Sequence, residues 1–368
     1  MAFWPFSKVF GAGLVSGDVP THSNLNKLDE QQAQAADGSI WTDIPGSANM
    51  AYSTITSALD NMLSASWCEL AGAWFVAGLD GSSNATAYMA WPPYIWGESF
   101  EPAIVVPAGN AFQYPLVTVC NPAGTLLIGG TPGSGTTAKL RRAAGGSLGG
   151  GMTIQDTPTA LGIKSLGWFP AAGKFLAGYG SGTAVDTSPD GITWTTRTSP
   201  NSHARGAMAA SPTRLVWAPS PAVGRSTVIT TDDAVTFTER TIGVSYQWAG
   251  VTYSAALQTW FLMSVSGAVR ASVDGITWTT VGSGPGLTSV IAMCSYGRIL
   301  FAVGLGAVTN SQEIWCSTDG AVTWRKLAMW SWVDSMSAAS IGPGGQLCVI
   351  SGGGSLSARA RFGWRLGG

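Results

Sequence analysis

Charge is what this sequence of 368 residues has least of. Lys, Arg, Asp and Glu together make up 11% of it, and the formal net charge is −1, where an ordinary soluble domain carries roughly a quarter charged residues. No basic run is longer than Arg141-Arg142. The electrostatic term that drives nucleic-acid binding is therefore missing, and nucleic acid is not an expected partner. Histidine is almost absent: His22 and His203 are the only two, too few for a His-rich metal site or a relay of several histidines. Neither a metal nor a cofactor is expected. The five cysteines, Cys68, Cys120, Cys294, Cys316 and Cys348, contain no CxxC pair and are odd in number, which argues against a zinc cage and a full disulfide framework. They read as reduced, mostly buried thiols, consistent with synthesis in a cytosol. No apolar run approaches the roughly 18 residues of a membrane helix, and the opening MAFWPFSKVFGAGLVSG lacks the basic lead and uninterrupted apolar core of a secretory signal.

What is present in excess is glycine, with 49 residues, beside 45% hydrophobic residues. Few charges and many turn-formers indicate a turn-rich β protein with ample core, and disorder is excluded as the main state. Length alone suggests two or three domains, but internal repeats decide otherwise. SPDGITWTT at residues 188–196 returns as SVDGITWTT at 272–280. TTDDAVTF at 230–237 and STDGAVTW at 317–324 follow the same plan, each read with one extra residue between aspartate and aromatic, and AADGSIW ends at Trp41. The logic is that of a hairpin turn. The aspartate accepts backbone N–H bonds across the turn, glycine tolerates positive φ, threonine starts the outgoing strand, and the aromatic packs inward between sheets.

Before each such turn stands an apolar strand, a short turn and a second apolar strand. Phe75, Leu127, Phe175, Val216, Phe261, Phe301 and Cys348 mark seven copies, at spacings of 40 to 52 residues, close to the roughly 40–50 of a four-stranded propeller blade. Helical periodicity between the strands is missing. The expected fold is all-β: a seven-bladed β-propeller of four-stranded antiparallel blades over residues 37–368, preceded by an extended arm and short helix over 1–36. The last repeat ends without a fourth strand, so residues 39–44 are expected to pair with the C-terminal strands and close the last blade, removing two open edges. There Ala360, Phe362 and Trp364 alternate with Arg359, Arg361 and Arg365.

The S-x-D-G-x-T-W turns resemble the Asp-box, or BNR, repeat of sialidases, sortilin-like receptors, photosystem assembly factors and many bacteriophage virion proteins. The motif proper is S-x-D-x-G-x-T-W, from which several copies here depart by a missing residue or by Ala for the second Gly. The resemblance implies a structural role for Asp190, Asp232, Asp274 and Asp319 and for Trp41, Trp194, Phe237, Trp278 and Trp324, on the face opposite the usual ligand site. Sialidase activity is not implied, because no Arg-Ile-Pro strand occurs, the first arginine is Arg141, and neither Glu239 nor Glu313 has an evident tyrosine partner. No catalytic residues are assigned. Asp156, Asp186, Glu98 and Asp334 remain formal acids, and Ser-His-Asp chemistry would have to use His203.

Seventeen tryptophans are a surplus. Trp67, Trp74, Trp168, Trp217 and Trp260 occupy core strand positions. Trp91, Tyr94, Trp96, Trp248, Trp330 and Trp332 are the candidates for a stacking surface at the propeller mouth, for sugar rings or a partner protein, against the plainer reading that they pack under long loops. Phe3, Trp4, Phe6 and Phe10 put many aromatics in the first ten residues, a segment that wants a protein surface to cover it. After it, SNLNKLDEQQAQAA reads as a short helix capped by Ser23. An apolar arm, a helix and a β domain resemble the layout of phage tail proteins. The expected function is a non-enzymatic structural or adhesive virion component present in multiple copies, docked on other virion proteins by its arm, with host-surface glycan as a further partner. The alternative is an Asp-box glycoside hydrolase. A photosystem-type assembly factor is the third reading, disfavoured by the missing leader.

Overall fold

The structure is a computed structural model that describes residues 52–53, 61–79, 85–90, 104–105, 112–132, 139–145, 152–201, 205–219, 224–307, 311–331, 335–342, 347–352 and 359–363. Valine, isoleucine, threonine and aromatics alternating between glycine-bearing turns form strands, and the strands form seven antiparallel blades. The first blade holds β2 (Asn61–Cys68), β3 (Ala73–Leu79), β4 (Ala85–Ala90) and β5 (Ile104–Val105). The second holds β6 (Phe112–Cys120), β7 (Leu126–Pro132), β8 (Lys139–Ala143) and β9 (Thr153–Asp156). The third holds β10 (Ile163–Phe169), β11 (Lys174–Tyr179), β12 (Ala184–Ser188) and β13 (Thr195–Thr198). The fourth holds β14 (Arg205–Ala210), β15 (Leu215–Pro219), β16 (Arg225–Thr231) and β17 (Thr238–Tyr246).

In the fifth are β18 (Trp248–Ser254), β19 (Thr259–Ser264), β20 (Val269–Ser272) and β21 (Thr279–Thr280). The sixth has β22 (Ser289–Tyr296), β23 (Ile299–Leu305), β24 (Ser311–Ser317) and β25 (Arg325–Ser331). The last has β26 (Ser335–Ile341), β27 (Leu347–Gly352) and β28 (Arg359–Gly363), joined by β1 (Tyr52–Ser53). The seven first strands touch one another in a closed ring, β26 against β2 included. Among the described residues the one helical turn is a 3-10 turn at Pro170–Ala172.

The edge of the last blade is paired by β1, with Tyr52 opposite Arg361 and Ser53 opposite Ala360. The positions beside β28 are thus taken by residues 52–53. Residues 39–44, the expected closing strand, lie outside the described residues, as do the arm and helix over 1–36. Gly352 and Asn61 pair across the seam, so the first and last blades share one hydrogen-bonded sheet.

Every first strand carries a register irregularity near its start: between Met62/Ser64, Gln113/Val117, Ile163/Ser165, Arg205/Met208, Trp248/Gly250, Val290/Ala292 and Met336/Ala338. Such bulges bend a strand and increase its twist. Seven of them at one level shape the inner wall.

The core lies between blades. Phe169, Leu176 and Val185 of the third blade meet Leu215, Trp217 and Phe237 of the fourth. Val216 and Val228 of the fourth meet Trp248, Trp260 and Trp278 of the fifth. Phe261 and Met263 of the fifth meet Leu300, Ala302 and Trp324 of the sixth.

Candidate functional site

In an antiparallel meander the turns joining strands one to two and three to four emerge at one end of the ring, and the remaining turns and the links between blades at the other. The repeated aspartate turns join strands three and four. Asp190 Oδ1 accepts the N–H groups of Ile192 and Thr193, each at 2.8 Å, and the Ser188 hydroxyl at 3.0 Å; the Gly191 N–H in turn donates to Ser188 Oγ at 2.8 Å. Asp274 repeats this with Ile276, Thr277 and Ser272, and Asp319 with Thr323 and Ser317. Burial works to raise the Asp274 pKa, but these donors outweigh it and hold the carboxyl down at about 2.

The fourth-blade turn corrects the sequence reading. Its carboxylate is Asp233, not Asp232: Asp233 Oδ1 accepts from Val235 and Thr236, at 2.8 and 2.7 Å, and from the Thr231 hydroxyl. The spacing T-D-D-A-V-T-F then equals that of S-P-D-G-I-T-W with no extra residue, and Ala234 takes the glycine's place at φ +55°. Asp232 instead forms a two-pronged ion pair with Arg214, Nε to Oδ1 and Nη2 to Oδ2 both at 2.6 Å. In the sixth blade the extra residue is real, and Ala321 carries the positive φ after Gly320.

Each turn aromatic among the described residues packs on the preceding blade. Trp194 reaches Val119, Leu127 and Leu140 of the second, and Trp278 and Phe237 are buried at their seams. The turn backbone presses there too. A side chain at Gly191 would collide with Leu127, and the residue sits at φ +76°. Arg142 of the second blade donates to the Asp190 main-chain oxygen at 2.9 Å, and Arg214 of the fourth donates to that of Asp274 in the fifth.

Of the expected mouth aromatics, Trp248 is the one whose side chain lies among the described residues. Trp248 is 1% exposed, wedged between blades with its indole N–H on the Arg225 main-chain oxygen at 2.8 Å. It is a core residue and offers no face to a ligand, a correction to its placement at the mouth. Its place at the very start of a first strand left both readings open in the sequence. Trp330 lies on β25 with its backbone opposite Gln312. Trp91, Tyr94, Trp96 and Trp332 lie outside the described residues, as do Trp41, Phe3, Trp4, Phe6 and Phe10.

Two buried carboxylates stand toward the end opposite the aspartate turns. Asp186 is fully buried and accepts from Tyr179 Oη at 2.5 Å and from the Thr159 N–H and hydroxyl, each at 3.1 Å. Burial, and then the bond to Asp186, push the Tyr179 phenol above its usual range. Glu313, 1% exposed on its side chain, takes Lys326 Nζ at 2.6 Å and Trp315 Nε1 at 2.7 Å. Both carboxylates are saturated and covered. They tie down the segment entering the third blade and the outer strands of the sixth, and neither is presented to a substrate. Glu239 is exposed and accepts from Asn201 and Thr227, each at 2.7 Å. Asp156 is an exposed strand end. Glu98, Asp334 and His203 lie outside the described residues. No cluster of three or more metal-ligating side chains occurs among the described residues, and no described helix is long and apolar enough to cross a membrane.

The surface feature that sequence reasoning missed is an apolar rim. Ile192, Val235 and Val322 are the exposed residues just before the turn threonines, Val273 precedes Asp274 at 76% exposure, and Leu70 tips the first turn of the first blade at 57%. All five stand at the end that carries the aspartate turns. The signal was in the sequence, since Ile or Val fills the same slot of each turn, but it reads as core until the turn is known to face outward.

No family model matches the chain, and no curated protein matches it. Solved structures do. A virginiamycin B lyase from Staphylococcus aureus aligns over 85% of this chain and 98% of its own, with TM-score 0.60 and 10% identity. Raptor from Chaetomium thermophilum aligns over 86% of this chain and 29% of its own, with TM-score 0.55 and 8% identity. At such identities the likeness shows the fold alone, and that fold is a seven-bladed β-propeller.

Proposed function

We propose that the chain is a non-enzymatic structural and adhesive component of a bacteriophage virion, tail-associated, anchored through its N-terminal arm. In this reading the propeller is a rigid adaptor or the module that meets host-surface glycan. The observation that carries it is the rim of Leu70, Ile192, Val235, Val273 and Val322 at one end of the ring, since aliphatic side chains held outward in turn after turn mark a surface made to be covered. The Asp-box resemblance of the turns, a motif widespread in phage virion proteins, and the aromatic-rich first ten residues support the same reading. So does the chemistry of Asp186 and Glu313, whose oxygens are occupied by fixed donors and which cannot reach a glycosidic bond, whereas a glycosidase needs two carboxyls open to one.

The test has two arms. Purified protein is incubated with sialylated and bacterial surface glycans, and reducing ends are measured; the expected result is binding or no interaction, without turnover. In parallel, protein lacking residues 1–35 is offered to particles from which the native copy has been stripped, and is expected to stay soluble without co-sedimenting. Release of reducing sugar would replace this reading by the glycoside hydrolase alternative. Co-sedimentation of the truncated chain would remove the arm from its anchoring role.

A further inference from the structure

The outer strand of the fourth blade turns an apolar stripe toward the fifth. Along β17 the side chains of Ile242 and Val244 pack with Val228, Trp248 and Trp260, and the next residue on the same face of the strand is Tyr246. Here β17 ends, at the end of the ring opposite the aspartate turns. Tyr246 is 36% exposed, the one aromatic among the exposed large hydrophobic residues described. Its ring meets that of Trp248 edge to face, with centroids 5.5 Å apart and planes at 85°. Trp248 is itself buried and anchored by its indole N–H on the Arg225 main-chain oxygen. An open aromatic ring resting on a fixed one has little freedom to lose when a ligand stacks on it.

Arg225 opens β16 directly opposite Tyr246 in the register, so the two side chains leave the sheet on one face as neighbours. The residue is partly exposed, yet its Nε is covered and has no hydrogen-bond partner. Among the described residues no carboxylate or carbonyl oxygen takes its guanidinium. Arg142 and Arg214 are different, the first bonded to the Asp190 main-chain oxygen and the second to Asp232. Covered donors are nearly always paired, so an arginine left without an acceptor is a vacancy for one, and its planar fork matches a carboxylate. The surroundings are polar and open. Ser245 and Gln247, on either side of Tyr246, are exposed, as is Gly224 before Arg225. A Cβ at Gly224 would stand 3.4 Å from Ser245 Oγ, so the glycine keeps the approach clear on that side.

We infer that Tyr246 and Arg225 form a binding site for an acidic sugar, whose pyranose ring lies on the Tyr246 ring while its carboxylate takes the Arg225 guanidinium. The inference rests on the glycan-binding side of the function proposed above and gives it a place and a ligand class. The C–H face of a pyranose is apolar and covers an aromatic ring, its hydroxyls suit the exposed Ser245 and Gln247, and the carboxylate supplies the acceptor that Arg225 lacks. An acidic peptide fits less well. One aromatic ring bordered by serine and glutamine offers no apolar core of the kind a protein partner buries. No bond is made or broken at the site, and no group in it is needed as an acid or base.

The experiment titrates the full chain by calorimetry with a uronic-acid oligosaccharide and with the same oligosaccharide after its carboxyls have been reduced to alcohols. The acidic form is expected to bind about tenfold or more tightly than the reduced one. Arg225→Gln keeps the main-chain oxygen that holds Trp248 and is expected to bring the acidic form down to the level of the reduced one. Tyr246→Ala is expected to weaken both, and melting of each variant checks that the fold is kept. Equal affinity for the two sugars, binding of neither, affinities unchanged in both variants, or a glutamate-rich peptide bound as tightly through the same two residues would each overturn the site. The comparison of the two sugars on the wild-type chain decides even where a substituted chain does not fold. Absence of binding leaves the anchoring role to the arm truncation, whereas release of reducing ends would overturn the non-enzymatic reading and leave this site standing.

Discussion

Trp248 of the fifth blade donates its indole N–H to the main-chain oxygen of Arg225, in the third strand of the fourth blade, at 2.8 Å. One side chain thereby supplies apolar bulk to the seam and satisfies a carbonyl of the neighbouring sheet. Replacing Trp248 with Phe keeps most of the volume and removes the donor, leaving the Arg225 oxygen short of a partner. A loss of about 1–3 kcal/mol is expected in chemical denaturation, with glycan or partner binding unchanged. Weakened binding at unchanged stability would return Trp248 to the mouth.

Trp278 and Val273 occupy one turn and face opposite ways, the first 7% and the second 76% exposed. Trp278→Ala is expected to cost on the order of 3–5 kcal/mol by opening a cavity at the seam of the fourth and fifth blades. Val273→Ser should cost under about 0.5 kcal/mol while weakening whatever association the apolar rim supports. Urea denaturation and sedimentation of the two variants separate these effects, and equal losses of stability would contradict the geometry.

The adjacent aspartates of the fourth blade give a sharper comparison. Asp233→Ala leaves the Val235 and Thr236 N–H groups without their acceptor and is expected to cost about 1–2 kcal/mol, the scale of a lost cap. Asp232→Ala breaks a half-exposed ion pair with Arg214 and should cost no more than about 1 kcal/mol, less in high salt. Denaturation at low and high salt checks both. The reverse order would restore Asp232 to the turn.

Acid sensitivity follows from the same turns. Asp190, Asp233, Asp274 and Asp319 all have carboxyls held below their ordinary range, although burial acts the other way. A folded-state pKa below the unfolded one adds stability above the unfolded value, and this is lost as pH falls through the folded one. Stability is therefore expected to be flat from neutral pH to about 5 and to drop between about 4 and 2, the lower limit set by Asp274. Asp274→Asn should flatten the drop in urea midpoints measured across this range.

Ring closure is tested by nested truncation. Removing residues through 50 spares β1, whereas removing them through 55 takes Tyr52 and Ser53 from beside Ala360 and Arg361 and bares the edge of β28. The longer deletion is expected to aggregate or melt several degrees lower. A loss already complete on deletion through residue 44 would assign closure to residues 39–44 instead.

Seven blades and the wedge role of Trp194, Phe237, Trp278 and Trp324 were legible in the sequence, because a turn motif and an apolar strand pair recurring at blade length constrain topology through local chemistry alone. The choice between Asp232 and Asp233 was not. Both stand in one turn, and only the backbone path decides which carboxylate meets the N–H groups of Val235 and Thr236. Trp248 was equally undecided, since a residue at the start of a first strand faces solvent or a seam according to how the next blade is rotated against it. The Tyr179, Asp186 and Thr159 cluster joins separate strands and a link between blades, so no local pattern announces it. A repeated sequence determines the unit and its number, because each unit buries its aromatics in the same way. What lies between units was decided by tertiary structure, where burial and hydrogen-bond geometry are set by a neighbour some 40 to 50 residues away.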